Sequence, residues 1–305
     1  MPRPASQDRS TRRHDYREVE MIVVTGATGN VGVEVARGLS ARGVKVRAMV
    51  RDAARAGAQL DAGIERAVAD FSDKDSVRQG VEGADALFLA TPNHPLQADF
   101  EIGVIDAAAA AGVKRIIKLS AIGAQIGSRL EFWDVHGRSE RHLQASGVDF
   151  VLLRPSFYMT NVFASLDQIR NESRMFAPAG GAKIAMIDPR DVADVAVAAL
   201  IDDVHGGETL VLTGPEAMTF DDVADELSRV LDRPVAFVNV PDDAAEQALV
   251  AAGAPEWFAR QLVILFGLLR GGAAESTTDT VRAVTGHEPR TFARFVNDHA
   301  RLFAG

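Results

Sequence analysis

Met21-Ile22-Val23-Val24-Thr25-Gly26-Ala27-Thr28-Gly29-Asn30-Val31-Gly32 sets the architecture of the chain. Its first four residues have the composition of a buried strand. Over residues 31–39 apolar side chains recur at helical spacing. A strand, a glycine-rich turn and a helix start, in that order, make a place for a diphosphate. Gly26 lets the chain turn off the strand, Gly29 lets the backbone approach a phosphate, and Gly32 lets the helix pack close to the strand. The free N–H groups at the helix start face the anion. Gly26, Ala27, Thr28, Gly29, Asn30 and Val31 are therefore expected to bind a dinucleotide. An ordinary tight turn is the alternative, and the flanking strand and helix argue against it.

Outward from this segment, strands and helices alternate. Strands are expected at 44–50, at 67–69 running into Asp70, at 86–90, at Arg115–Leu119 and at 150–153, the last stopped by Pro155. Helices are expected at 96–111 and 133–145, ended by Gly112 and Gly147. Ser72, with Asp75 three residues on, has the pattern of a helix cap. The alternation implies an α/β fold, a doubly wound parallel Rossmann sheet with helices on both faces. Ligands on such sheets lie beyond the carboxyl ends of the strands, which singles out Arg51, Asp70, Thr91, Ser120 and Arg154.

After Pro155 the regularity breaks. Residues 156–183 suggest loop and short helix, 184–187 a strand, and Asp188-Pro189 a helix start. A strand at 208–212, a helix from Thr219 to Leu231, a strand at 235–240 and a mainly helical remainder complete the pattern. The expected organisation is a disordered tail (1–20), a dinucleotide-binding domain (21–155, with 184–214 returning to it) and a smaller, mainly helical substrate-side domain (156–183 and 215–305). In the tail, Arg3, Arg9, Arg12, Arg13 and Arg17 stand against Asp8, Asp15, Glu18 and Glu20, so the charge nearly cancels. That weakens the alternative of a basic arm for an anionic partner.

Composition narrows the classes. With 305 residues, 47% of them hydrophobic and 25% charged, the chain has material for an ample core. A net charge of −9 disfavours a general nucleic-acid binder. The absence of cysteine removes disulfides, thiolate metal sites and a cysteine nucleophile. The most apolar stretch, around Leu262 to Leu269, is too short for a membrane span, and residues 1–20 lack the apolar core of a secretory signal. The cytoplasm is the expected compartment. The histidines lack ligand spacing, so no metal is expected.

Several pieces together resemble the NmrA-like branch of the atypical short-chain dehydrogenase/reductase superfamily. They are TGATGNVG (25–32), Arg51-Asp52, AAAAAGVKRIIK (107–118), LSAIGA (119–124), HGRSE (136–140), SGVDFVLLRP (146–155), YMTN (158–161), DPRDVADV (188–195) and LTGP (212–215). The resemblance covers residues 21–305. It implies a family of quinone and azo-dye reductases, natural-product tailoring reductases, and proteins that bind the dinucleotide without turning it over. It also implies that Arg51 sits over the adenine ribose, that Asp70 and Phe71 flank the adenine, and that Thr91, Pro92 and Asn93 lie under the nicotinamide-side ribose. An arginine suits the 2′-phosphate of NADP, whereas an acid would hold the 2′-hydroxyl of NAD. NADP is expected over NAD, with Asp52 as the opposing sign.

The superfamily's Tyr-x-x-x-Lys pair is missing, and the corresponding positions are His136 and Glu140. Four apart on a helix, they share a face, so Glu140 is expected to raise the imidazole pKa and orient it as the proton donor. An ordinary surface pair, supported by Arg138 and Arg141, is the plainer reading. Ser120 and Tyr158 are further catalytic candidates, with Asn161 and His94 nearby in the pattern. Phe157, Phe163, Trp257, Phe258 and Phe266 suit a flat aromatic substrate, and equally a plain core or a homodimer face. The expected function is NADPH-dependent hydride transfer to a quinone-like or aromatic small molecule. The alternatives are a non-catalytic NADP(H) sensor that regulates a partner, and a non-redox tailoring step such as isomerisation or elimination.

Overall fold

A computed structural model of the chain describes residues 20–202 and 205–304. The expected tail lies outside the described residues except for Glu20. The strands are β1 Met21–Val24, β2 Lys45–Val50, β3 Glu65–Val68, β4 Ala86–Leu89, β5 Arg115–Leu119, β6 Asp149–Pro155, β7 Arg174–Ala177, β8 Thr209–Leu212 and β9 Ala236–Asn239. The helices that follow them in the first half are α1 Gly32–Ser40, α2 Ala53–Ala56, α3 Lys74–Val81, α4 Gln97–Ala110 and α5 Glu131–Ala145. The second half carries α6 Leu166–Glu172, α7 Pro189–Ile201, α8 Phe220–Leu231, α9 Asp242–Ala251, α10 Glu256–Arg270, α11 Thr280–Thr285, α12 Phe292–Asp298 and α13 Ala300–Ala304.

Seven parallel strands form one sheet in the order β3-β2-β1-β4-β5-β6-β8. Both faces are covered, and the alternation of side chains along each strand shows why. Ile22 and Val24 of β1 enter the cluster with Val35 and Leu39 of α1 and Val192 and Val195 of α7. Val23 between them points the other way, to Val77 of α3, Ile105 of α4 and Leu143 of α5. The order reverses between β1 and β4, and on such sheets ligands lie beyond the strand ends at that point. Beyond the sheet, a third cluster joins Met159, Ile169, Phe220, Phe295 and Phe303 around a two-stranded parallel sheet of β7 and β9.

Local signals hold at the helix starts. Asp188 accepts from the Arg190 N–H with Pro189 in the first turn, and Thr219 with Asp222 closes a reciprocal capping box. Three expectations are corrected. The cap of α3 is Asp73, whose carboxylate accepts from the Asp75 and Ser76 N–H groups, while Ser72 turns back to Asp70. Residues 184–187 make only isolated bridges, Tyr158 with Ile187 and Ile184 with Met218, because this buried segment threads between the sheet and the C-terminal cluster. Within 156–183, Arg174–Ala177 is a strand, stabilised by its partner β9 and not by any local pattern.

Candidate active site

The turn after β1 is held from below. The Thr25 Oγ1 donates to the Ala90 carbonyl at 2.8 Å and accepts from the Ala90 N–H at 2.8 Å, which fastens the ends of β1 and β4 together. Gly26 has φ +60°, and a Cβ there would lie 2.9 Å from the Ala90 oxygen. A Cβ on Gly32 would meet the Gly26 carbonyl oxygen at 2.2 Å. Thr28, Gly29 and Asn30 are exposed, and α1 starts without a capping side chain. Gly29 and Val33 donate to the carbonyls of Gly26 and Gly29, which leaves the N–H groups of Asn30, Val31 and Gly32 for an anion. Asn30 Nδ2 donates to Thr160 Oγ1 at 3.3 Å, tying the loop to the 158–161 segment.

At the end of β2, Arg51 is exposed and forms no hydrogen bond with a described residue. Asp52 is turned away from it. Its Oδ1 accepts from the Ala54 and Arg55 N–H groups at 2.9 and 3.0 Å and caps α2. The acid that spoke for NAD therefore has a structural task. At the end of β3, Asp70 Oδ1 accepts from the Ser72 hydroxyl (2.6 Å) and N–H (2.8 Å), and these bonds, aided by Arg51, lower its pKa. Phe71 leans on Phe100 at 6.2 Å between ring centres.

The ends of β4 and β5 hold a buried ionic network absent from the sequence expectations. Glu101 of α4 and Lys118 of β5 are both 0% exposed, with Lys118 Nζ 2.8 Å from Glu101 Oε2. Glu101 Oε1 accepts from Thr91 Oγ1 at 2.8 Å and from Gln97 Nε2 at 3.2 Å. Lys118 Nζ also donates to the Leu119 carbonyl at 3.1 Å and lies 3.1 Å from His136 Nδ1. Burial is the largest single influence and acts to raise the Glu101 pKa, but the charge and hydrogen bond of Lys118, with His136 and Ser139, together outweigh it and leave the carboxyl at about 2. The signal that would have found these residues is a lone lysine in the apolar strand Arg-Ile-Ile-Lys-Leu. It is matched by a lone glutamate on the apolar stripe Ala98, Glu101, Ile105 of α4.

His136 is corrected in its partner and its charge. Glu140 does not pair with it. Arg154 grips Glu140 with both arms of its guanidinium, Nε at 2.9 Å, and the Ser120 hydroxyl donates to the same carboxylate at 2.5 Å. Ser120 is thus locked between strand ends. Burial, and then the Lys118 ammonium, push the imidazole pKa down to about 3 against the pull of Glu101. Its surroundings thus hold His136 toward the neutral form and oppose the imidazolium that the spacing with Glu140 suggested.

Tyr158 packs on the main core at the seam, and burial pushes its phenol pKa up, so the hydroxyl stays protonated. Pro92, Asn93 and His94 are exposed on the loop after β4, with the His94 ring stacked on Phe100 at 5.1 Å. The Phe157 and Phe266 rings meet at 6.1 Å in the C-terminal cluster, and Phe163 stacks on Phe295 at 5.4 Å. Trp257 and Phe258 instead contact Phe132 of α5. Asp191, Asp194 and His287 come within ligand distance of one another, and the Arg290 guanidinium bonds to both acids. Among the described residues no helix is long and apolar enough to cross a membrane.

The sequence profile of the NmrA-like family matches residues 18–295. The chain is 35% identical over 283 residues to the NAD(P)H azoreductase of Xenophilus azovorans, across 93% of this chain and 99% of that one. It is 38% identical over 285 residues to a (4-alkanoyl-5-oxo-2,5-dihydrofuran-3-yl)methyl phosphate reductase of Streptomyces griseus, across 93% and 99%. The NADPH-dependent quinone oxidoreductase of Escherichia coli, solved with NADPH, superposes with a TM-score of 0.83 at 30% identity, covering 92% of this chain and all of that one.

Proposed function

Because the chain belongs to the NmrA-like family, we propose that it is a cytoplasmic NADPH-dependent reductase that passes hydride to a flat, quinone-like or aromatic small molecule. The observation that carries this reading is the division of labour after β2: Arg51 is free for a 2′-phosphate, and Asp52 is engaged in capping α2. The azo and quinone reductases among its relatives support a conjugated acceptor. The residues fit the dinucleotide, since a side chain at Gly26 or Gly32 would collide with the backbone of the cradle. Residues 26–31 and the start of α1 would hold its diphosphate, Arg51 its 2′-phosphate and residues 91–93 its nicotinamide side. When bound, the cofactor supplies the hydride. The chain supplies proximity and orientation, which hydride transfer chiefly needs. Tyr158, protonated and unpaired among the described residues, remains a hydrogen-bond donor at the seam.

Arg51→Ala should weaken NADPH binding roughly ten- to a hundredfold, the loss of charge-assisted hydrogen bonds to one phosphate. NADH binding should hardly change. Titration of both cofactors checks this, and equal loss for the two would remove the assignment.

One observation favours the sensor reading: His136 is held neutral and Glu140 is gripped by Arg154, so neither supplies a proton. NADPH oxidation followed by absorbance across a panel of quinones and azo dyes separates the two. Turnover supports the reductase; tight NADPH binding with no turnover of any acceptor supports the sensor.

A further inference from the structure

Lys118 Nζ lies 3.1 Å from His136 Nδ1. An ammonium has only hydrogens to offer, so Nδ1 must be the acceptor, and the neutral ring carries its proton on Nε2. Lys118 has little freedom to do otherwise. It is 0% exposed, and its other bonds run to Glu101 and the Leu119 carbonyl. The opposite edge of the ring is open. His136 is 12% exposed, and Nε2 has no partner among the described residues yet is not one of the buried polar atoms left unpaired. Solvent, or a substrate, therefore reaches Nε2–H.

The position of the ring suits such a role. Its Nδ1 is 4.0 Å from Glu101 Oε1, the same oxygen that Thr91 bonds at the end of β4. One carboxylate thus links the ring to the 91–93 segment. The charged groups around it are Lys118 from β5, Glu101 from α4 and Arg154 from β6, the last already paired with Glu140. Lys118 and Arg154 both oppose a second proton on the ring, and only Glu101 favours one.

We propose that His136 is a catalytic residue that works as a neutral hydrogen-bond donor, its Nε2–H fixed by the positioning residue Lys118 and directed at the carbonyl oxygen of the acceptor. This rests on the reductase reading for its use, but not for its geometry. As hydride adds to the acceptor, the electron pair of the C=O bond moves onto oxygen. The Nε2–H bond strengthens against that developing charge and keeps its proton. The hydrogen that completes the hydroxyl comes from water at the open edge. The lysine of the missing Tyr-x-x-x-Lys pair has here a counterpart on the sheet, which sets the tautomer of a histidine where the superfamily lowers the pKa of a tyrosine.

Nitrogen-15 NMR of the full chain with NADP bound tests the geometry without turnover. His136 should show a protonated Nε2 and an unprotonated Nδ1, unchanged from pH 5 to pH 8, where a free imidazole titrates. In Lys118→Met/Glu101→Leu, which removes the pair together, the ring stays buried but loses the donor that fixes Nδ1 as acceptor, so its proton should be shared between Nδ1 and Nε2. Rates test the use. His136→Gln, whose Nε2 places an N–H near that of the histidine, should keep ketone reduction within about tenfold of the unaltered chain. His136→Leu should lose roughly a hundredfold, with quinones less affected. A proton on Nδ1, or a titration between pH 5 and 8 in the unaltered chain, overturns the proposal. So does a Gln variant as slow as the Leu variant. If the unaltered chain turns over no acceptor, the reductase reading and the catalytic role fall together, while the tautomer still stands or falls on the spectrum.

Discussion

Glu101→Gln should cost the fold about 3–5 kcal/mol, the loss expected when one partner of a buried ion pair is removed. The reason is the company Glu101 keeps. Its carboxylate is 0% exposed and 2.8 Å from the Lys118 ammonium, which is also 0% exposed. With an amide in its place, Lys118 stays buried with no opposite charge, and Thr91 and Gln97 exchange a charged acceptor for a neutral one. Thermal unfolding should show a melting temperature lower by roughly 5–15 °C for a chain of this size. Glu101→Leu/Lys118→Met should recover most of the loss, because two apolar side chains carry no desolvation penalty. The pH dependence gives a second signature. The folded pKa of Glu101, about 2, lies below its ordinary 4.5. The pair therefore stabilises fully above the ordinary value, and its contribution falls away as pH drops toward the folded one. The gap between Glu101→Gln and the unaltered chain should narrow across that interval. A variant as stable as the parent at neutral pH would mean that the pair is not buried in solution.

Gly32→Ala should do comparable harm at the cofactor cradle. The added Cβ would lie 2.2 Å from the Gly26 carbonyl oxygen, 2.7 Å from its carbon and 3.1 Å from the Ala27 Cα. All three are backbone atoms, so no side-chain rotation relieves the contact. Helix α1 must move off the loop, and with it Val35, Ala36 and Leu39, each 0% exposed in the main core. Overpacking of this kind costs about 1–3 kcal/mol or more. The displaced helix start would also lose its alignment with the diphosphate, so NADPH affinity should fall with stability. Gly103→Ala in α4 is the control: nothing lies within 4 Å of its added Cβ, and a helical alanine is worth up to about 1 kcal/mol over glycine. Denaturant unfolding and NADPH titration of both variants check this. If Gly32→Ala matched Gly103→Ala in both, the close approach of helix and loop would be wrong.

The glycine cradle, the alternation of strands and helices and the caps at Asp188 and Thr219 were legible because each depends on neighbours in sequence. A turn needs its glycine at a fixed offset from the strand, and a cap needs its acceptor two or three residues from the N–H it satisfies. The strand Arg174–Ala177 was not legible, since its four residues are a strand only beside Ala236–Asn239, some sixty residues on. The cap of α3 was not legible either: it fell to Asp73 because Ser72, the expected cap, turns back to Asp70.

The same division runs through the active site. The sequence by itself determined a parallel sheet, a tight glycine turn between strand and helix and an arginine after the second strand, because local order and backbone freedom dictate them. It also placed His136 and Glu140 on one helical face. Only the tertiary structure decided which partners they took. Arg154 and Ser120, at the ends of neighbouring strands, claim Glu140. Burial, and Lys118 inside the sheet, hold the His136 imidazole toward its neutral form. Spacing of four residues makes contact between side chains available, but a polar side chain buried by packing bonds to the partner set beside it, and that neighbour comes from another part of the chain.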